Sequence, residues 1–370
     1  MGYDLYTGVP CSFLTPLINQ VIDAESIEYV PLNNEGEAVA YGCGAFMAGR
    51  SPVVMFQNSG LGNAVNPLAS LAVPFQLPIL LVVTWRGEPG IGDEPQHEIM
   101  GRTTGEILKL MQVESEIIDE GKQGVHDQLL RARDWQRDYS LPFGLVMRKR
   151  TVEPYDLKTP IVSRNAPDST GCGPEETGKP ELKRFDCVRI VADVVGVTHV
   201  IIATTGKTGR ELFTYRDSAN HLYVVGSMGC ASSLGLGLAR HLPKDKKVVV
   251  IDGDGAALMR LEAMASVGHY RPENMVHLVL DNNAHDSTGG QQTLSDTVSF
   301  PTIAAAVGYR HSRSICTGEA LSLELEAALR RPAPTLLHVR VAPGSLEPLG
   351  RPSVPPAQVA RRLMDHLGVA

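Results

Sequence analysis

Leu77-Pro-Ile-Leu-Leu-Val-Val-Thr84 and Lys247-Val-Val-Val-Ile251 are short, unbroken apolar runs rich in β-branched residues. A strand with one wet face alternates polar and apolar residues. These runs do not alternate, so each strand needs cover on both faces. A sheet sandwiched between helices provides that cover, which points to parallel strands joined by helical crossovers. The same pattern recurs along the chain. Strands are expected at Tyr3–Tyr6, at Tyr29-Val30, and at Pro52–Phe56 and Pro142–Met147. Later ones are expected at His199–Thr204, Leu222–Val225, Val276–Leu280 and Thr335–Val339. Ala- and Gly-rich stretches between them, Asn34–Gly49, Gly62–Val73, Ala231–Arg240 and Ala256–Gly268, read as helices.

The pattern lapses once. Thr151–Lys183 carries Pro154, Pro160, Pro167, Pro174 and Pro180 with little periodicity, as a linker does. A chain of 370 residues also exceeds what one core usually serves. The expectation is α/β: two doubly wound parallel-sheet domains, residues 1–150 and 184–370, joined by a linker at 151–183. The net charge of -7 excludes a basic nucleic-acid-binding face. It does not exclude a small anionic ligand, which a few local cations and N–H groups can hold. None of the six cysteines forms a C-x-x-C pair, so reduced thiols are expected. The opening residues lack a basic stretch followed by an apolar one, and Leu77–Trp85 is too short to span a bilayer. A cytoplasmic protein without membrane attachment is expected.

One turn carries chemistry. Gly253-Asp-Gly255 follows the run ending at Ile251 and precedes a helix beginning at Ala256. Strand, Gly-rich turn and helix together aim backbone N–H groups at a phosphate. Asn282 lies twenty-eight positions beyond Asp254, at the end of the next apolar run, in Asp281-Asn-Asn-Ala-His-Asp286. An aspartate and an asparagine at the ends of adjacent parallel strands suit a hard cation such as Mg2+, which keeps water and phosphate oxygens as its other ligands. Alone, Gly-Asp-Gly is more often a tight turn whose Asp caps a helix. The Asn at this spacing after a second strand shifts the balance toward a metal-diphosphate site.

These residues resemble the signature of thiamine-diphosphate-dependent enzymes. The resemblance implies that Asp254 and Asn282 hold Mg2+ with the carbonyl of Ala284, Asn283 being the alternative to Asn282. It implies that Gly206, Gly226, Ser227, Gly253, Gly255 and Ala256 line the cofactor, and that Met228 wedges beneath it. Glu35, in Leu32-Asn-Asn-Glu35 before an Ala/Gly-rich helix, would be the carboxylate beside the aminopyrimidine, with Glu37 its rival. With no third domain between the two, the chain resembles the smaller decarboxylases of 3-phosphonopyruvate and 3-sulfopyruvate. Thr7–Leu14, Gln57-Asn-Ser-Gly-Leu-Gly-Asn63, Asp93-Glu-Pro-Gln-His97, Met100-Gly-Arg102, Thr204–Glu211 and Ser287-Thr-Gly-Gly-Gln291 carry that likeness.

The implied reaction is the loss of CO2 from 3-phosphonopyruvate, giving phosphonoacetaldehyde in phosphonate biosynthesis. The sulfo acid is the alternative substrate, and a non-catalytic cofactor-binding subunit is a third reading. Candidates for binding the dianionic head are Ser12, Asn58, Arg86, Arg102 and Lys207. His97 and His285 are candidate proton donors. Because the two cofactor halves fall to different domains, a homodimer or homotetramer with active sites between subunits is expected.

Overall fold

The computed structural model describes residues 2–119, 121–160 and 180–369. The chain divides into two compact units, residues 1–164 and 165–370. Each is built on a six-stranded sheet, and every pairing within the two sheets is parallel.

In the first unit the strands are β1 (Leu5–Gly8), β2 (Glu28–Pro31), β3 (Pro52–Gln57), β4 (Leu80–Thr84), β5 (Glu114–Ile117) and β6 (Phe143–Met147). Their order is β2-β1-β3-β4-β6-β5. The chain leaves β1 toward β2, then returns to build β3 and β4 on the other side. Winding therefore reverses between β1 and β3. The second unit has β7 (Val200–Ala203), β8 (His221–Tyr223), β9 (Val248–Gly253) and β10 (Met275–Asp281). A small antiparallel pair follows, β11 (Ala284–His285) with β12 (Gln291–Gln292), and then β13 (His311–Ile315) and β14 (Thr335–Arg340). The order β13-β14-β10-β9-β7-β8 reverses between β7 and β9. Such a reversal opens a crevice at the carboxyl ends of the two strands.

The apolar runs occupy the sheet interiors, as two-sided burial requires. All five residues of β4 are buried, as are the first five of β9. Sequence reasoning did not find β5 or β13. Both are sheet edges with polar sequences, Glu-Ser-Glu-Ile and His-Ser-Arg-Ser-Ile. An edge strand is half solvated, so no continuous apolar run marks it.

Two expected helices are interrupted. Ala256–Gly268 is two helices, Asp254–Met259 and Glu262–Tyr270, broken at Arg260. Gly62–Val73 is a helix only over Leu61–Pro67 and widens into a π-turn over Leu68–Ala72. Pro67 has no N–H to donate, and the ladder resumes with Val73 N–H reaching Leu68 O at 3.0 Å. The expected linker is also tied down at its start. Asp23 accepts from the N–H groups of Lys158 and Thr159, and the Asn19 amide donates to Tyr155 O. Residues 161–179 of that linker lie outside the described residues.

Cys11, Cys43, Cys187, Cys230 and Cys316 are buried thiols outside any disulfide among the described residues; Cys172 lies outside the described residues. Among the described residues no helix is long and apolar enough to cross a membrane.

One element positions the first unit's site directly. The helix Glu35–Met47 is buried from Gly36 to Ala45. Its small side chains (Gly36, Ala38, Ala40, Gly42, Gly44, Ala45) allow that enclosure. Asn34 caps it, its Oδ1 accepting from Gly36 N–H at 2.8 Å and Glu37 N–H at 3.4 Å. Asn34→Ala is expected to cost about 1 kcal/mol of stability. A denaturation midpoint equal to that of the unaltered chain would contradict this capping role.

Candidate active site

In the second unit a pocket opens at the reversal between β7 and β9. Its walls include Thr204 and Thr205 after β7, Gly253–Ala256 after β9, and Asn282, Ala284 and His285 after β10. Lys207, Met228, Asp286 and Ser287 complete much of the rest. The structure thus gathers Asp254, Asn282 and Ala284, the expected metal ligands, around one space. Gly206 adjoins it as the N-cap of the helix Lys207–Tyr215, with φ +94°. Gly226 and Ser227 form the turn that delivers Met228 but do not themselves line the space.

Asp254 is 3% exposed. Burial pushes its carboxyl above the ordinary carboxylate value, and the Asp281 charge adds to that; hydroxyl donors oppose both. Those donors are Thr293, in a short contact, and Ser295 at 3.2 Å. Ser295 Oγ is also 2.7 Å from Asp281, which His338 holds at 2.9 Å. Sequence reasoning missed Thr293 and Ser295 altogether. They follow an irregular Gly-rich loop, and only the fold returns them to Asp254.

Asn282 and Asn283 part company. Asn283 has φ +53°, and its amide oxygen meets Thr293 and Ser295 rather than the pocket. His285 lies over the Gly-Asp-Gly turn. A Cβ on Gly255 would fall 2.5 Å from the imidazole Cε1 and 3.4 Å from Met228 Cε, so any larger residue there would displace His285. Lys207 Nζ donates to Ser345 Oγ at 2.9 Å.

In the first unit, polar groups collect at the carboxyl ends of β1, β3 and β4. Glu35 is half-buried and accepts from Asn63 Nδ2 at 2.8 Å. A Cβ on Gly60 would lie 2.2 Å from Glu35 Oε1. The Gln57–Asn63 run is therefore a bed for the Glu35 carboxylate, with Gly60 leaving room and Asn63 donating. Glu37 is fully buried and accepts from Asn33 N–H at 3.1 Å. Glu35, not Glu37, borders open space.

The expected head-group residues do not form one set. Ser12 is exposed at the end of β1, beside Cys11, whose thiol donates to Gln57 Oε1 at 3.2 Å. Arg86 stacks over the Phe13 ring at 4.8 Å. It forks onto Asp93 at 2.7 and 2.6 Å, and this guanidinium holds the Asp93 carboxyl well below the usual range. Asn58 is wholly buried. Its amide donates to Arg86 O at 2.8 Å and Thr104 Oγ1 at 2.9 Å, and accepts from Arg86 N–H at 3.2 Å. It pins the Arg86 turn from behind and has no face left for a substrate. Arg102 is 60% exposed on the helix Glu98–Leu110 and pairs with Glu98 at 3.3 Å. The structure does not bring it to the others. His97 is buried at 7% exposure, and its Nδ1 has no hydrogen-bond partner among the described residues.

Residues 1–106 match the family model for the thiamine pyrophosphate enzyme N-terminal TPP binding domain, and residues 204–339 the C-terminal TPP binding domain. The chain is 43% identical to a phosphonopyruvate decarboxylase of Streptomyces viridochromogenes, over 98% of this chain and 91% of that protein. The chain belongs to the thiamine-diphosphate-dependent decarboxylases. A sulfopyruvate decarboxylase of Methanosarcina acetivorans is a more distant relative of this decarboxylase, 28% identical over 100% of this chain and 95% of that protein. Among solved structures, the benzoylformate decarboxylase of Polynucleobacter necessarius superposes with a TM-score of 0.73 at 11% identity. It covers 93% of this chain and 97% of that one. That likeness is one of fold.

The pocket of this decarboxylase fits a metal-bound diphosphate in chemical terms. It offers the buried Asp254 carboxylate and the Asn282 amide to a hard cation, with Ala284 alongside, and Thr204, Thr205 and Lys207 to anionic oxygens. In the first unit, Gly60→Ala forces the Glu35 carboxylate from its bed. Turnover is expected to fall about 100-fold with folding retained. Turnover within a factor of two of the unaltered enzyme would show that the position of Glu35 is not constrained there.

Proposed function

We propose that this decarboxylase removes CO2 from 3-phosphonopyruvate, using thiamine diphosphate and Mg2+, to yield phosphonoacetaldehyde. The observation that carries the choice of substrate is the 43% identity, over nearly the whole chain, to a protein named for that activity. The 28% match makes 3-sulfopyruvate the second reading. Both acids are small anionic 2-oxo acids, and only the head group separates them.

Bound thiamine diphosphate supplies the electron sink that lets a 2-oxo acid lose CO2. The chain's residues do the rest. The proposal gives the diphosphate to the second unit and the pyrimidine to the first. Asp254, Asn282 and the Ala284 carbonyl hold Mg2+. Gly206, Gly253, Gly255 and Ala256 would shape the cofactor's bed, and the Gly226-Ser227 turn would carry Met228 as its support. Glu35 would hold a proton at its carboxylate oxygen beside the pyrimidine, which the bound cofactor would place there. The bond from the carboxylate to the keto carbon breaks, and a proton takes its place on that carbon. His97 or His285 donates it. Ser12 and Arg86 receive the anionic head, Arg86 by releasing Asp93, and Lys207 is the separate candidate on the second unit. Assembly as a homodimer or homotetramer in the cytoplasm, and a place in phosphonate biosynthesis, complete the proposal.

The test compares CO2 release from the two acids, with and without thiamine diphosphate and Mg2+. Cofactor-dependent release chiefly from phosphonopyruvate is expected, and preference for sulfopyruvate would replace the substrate. Glu35→Gln should lower turnover by about 100-fold to 10,000-fold while cofactor binding persists. Undiminished turnover would remove Glu35 from its role.

A further inference from the structure

In the wall of the pocket, and reaching behind it, lies a charged group that the proposed reaction does not use. Arg184 opens the helix Arg184–Val195, and its side chain is 9% exposed. It forks onto Glu211 at 2.9 and 3.0 Å, and Glu211 is fully buried. Its Nη1 donates to Asp286 Oδ2 at 2.9 Å. Two backbone segments close the group: Gly344 N–H donates to Asp286 at 3.3 Å, and Leu346 N–H donates to Glu211 at 3.2 Å. Two carboxylates thus face one guanidinium with little water around them. A buried arrangement of this kind is costly to form, so its survival asks for a role beyond stability.

The role follows from the remaining contact. Asn282 Nδ2 donates to Asp286 Oδ2 at 2.8 Å. The Asn282 amide oxygen accepts from Ala284 N–H at 3.0 Å. A carboxylate only accepts, and a backbone N–H only donates. Together they permit one orientation of the amide, with its NH2 toward Asp286 and its oxygen on the side of Ala284. Rotated by half a turn, the amide would set oxygen against carboxylate and NH2 against N–H. A hard cation binds the amide oxygen and not the NH2 group.

We propose that Asp286, itself held by Arg184, is a positioning residue that fixes the Asn282 amide with its oxygen available to the metal. This rests on the reading of Asn282 as a Mg2+ ligand. Arg184 holds Asp286 in place through Nη1, and Glu211 fixes Arg184 from the opposite side. The residual negative charge of the group stands one hydrogen bond behind the cation's seat. Partners of metal ligands act in this way elsewhere, by orienting the ligand and raising its affinity.

The test is calorimetric titration of Mg2+ into the full chain with saturating thiamine diphosphate, alongside the melting temperature of the cofactor-free protein. Asp286→Ala should raise half-saturating Mg2+ by about 10-fold to 100-fold. Asp286→Asn keeps an oxygen for Asn282 and should lie closer to the unaltered protein. Equal impairment in both variants would show Asp286 acting by charge alone, and would overturn the positioning role. So would a normal Mg2+ response in Asp286→Ala. Should Asp286→Ala fail to fold, Asp286→Ser, too short to reach Asn282, takes its place with the same outcomes. Asn282→Ala separates the layers of the argument. A large loss there with none in Asp286→Ala removes the positioning role alone. No loss there removes the metal reading, and the proposal with it.

Discussion

A carboxylate almost wholly withdrawn from water, at the carboxyl end of a central strand, needs positive charge or several donors beside it. Asp254 is that carboxylate, and burial has already raised its affinity for a proton. Much of the second unit's site is arranged around it. Thr293 and Ser295 supply neutral donors, and Asp281, the residue before Asn282, is held by Ser295 and His338 rather than by a residue of the pocket. Hydroxyls temper the burial without neutralising the charge. A divalent cation beside Asn282 and the Ala284 carbonyl would neutralise it, and would bring a diphosphate with it.

Topology explains why this happens at one place. Both sheets reverse their winding between the first strand of the unit and the third, and each reversal opens a crevice at the strands' carboxyl ends. In the second unit the crevice receives Thr204–Thr205 from one strand and Gly253–Ala256 from the other. In the first unit the corresponding edge holds Cys11, Gln57 and Arg86, and the Gln57–Asn63 turn cradles Glu35. Two units of one architecture thus present different surroundings: a buried carboxylate among hydroxyl donors in one, a half-buried carboxylate held by an amide in the other.

How far the sequence could be read depended on whether a feature was local. The buried strands were legible because two-sided burial writes itself as an apolar run. Asp254 and Asn282 were legible because each closes such a run. The edges β5 and β13 were not, since solvent on one side erases the pattern. Thr293 and Ser295 reach Asp254 across about forty residues of chain, and no local signal announces that contact. The nature of Asn58 as a buried pin and of Arg102 as a surface residue depends on where each side chain points. A motif supplies the residue type and not its direction. Gly60 shows the converse. Its place in a recognisable run was plain, and its purpose appears only when Glu35 is seen against it.

The account depends most on Asp254 as the anchor of a metal-bound cofactor. The most direct measurement is titration of thiamine diphosphate into the cofactor-free chain in the presence of Mg2+, for the unaltered protein and for Asp254→Ala. The account predicts Mg2+-dependent binding that weakens at least tenfold in the variant, a loss of about 1.4 kcal/mol or more. Equal affinity in the two proteins would place the diphosphate elsewhere and contradict the account at its centre.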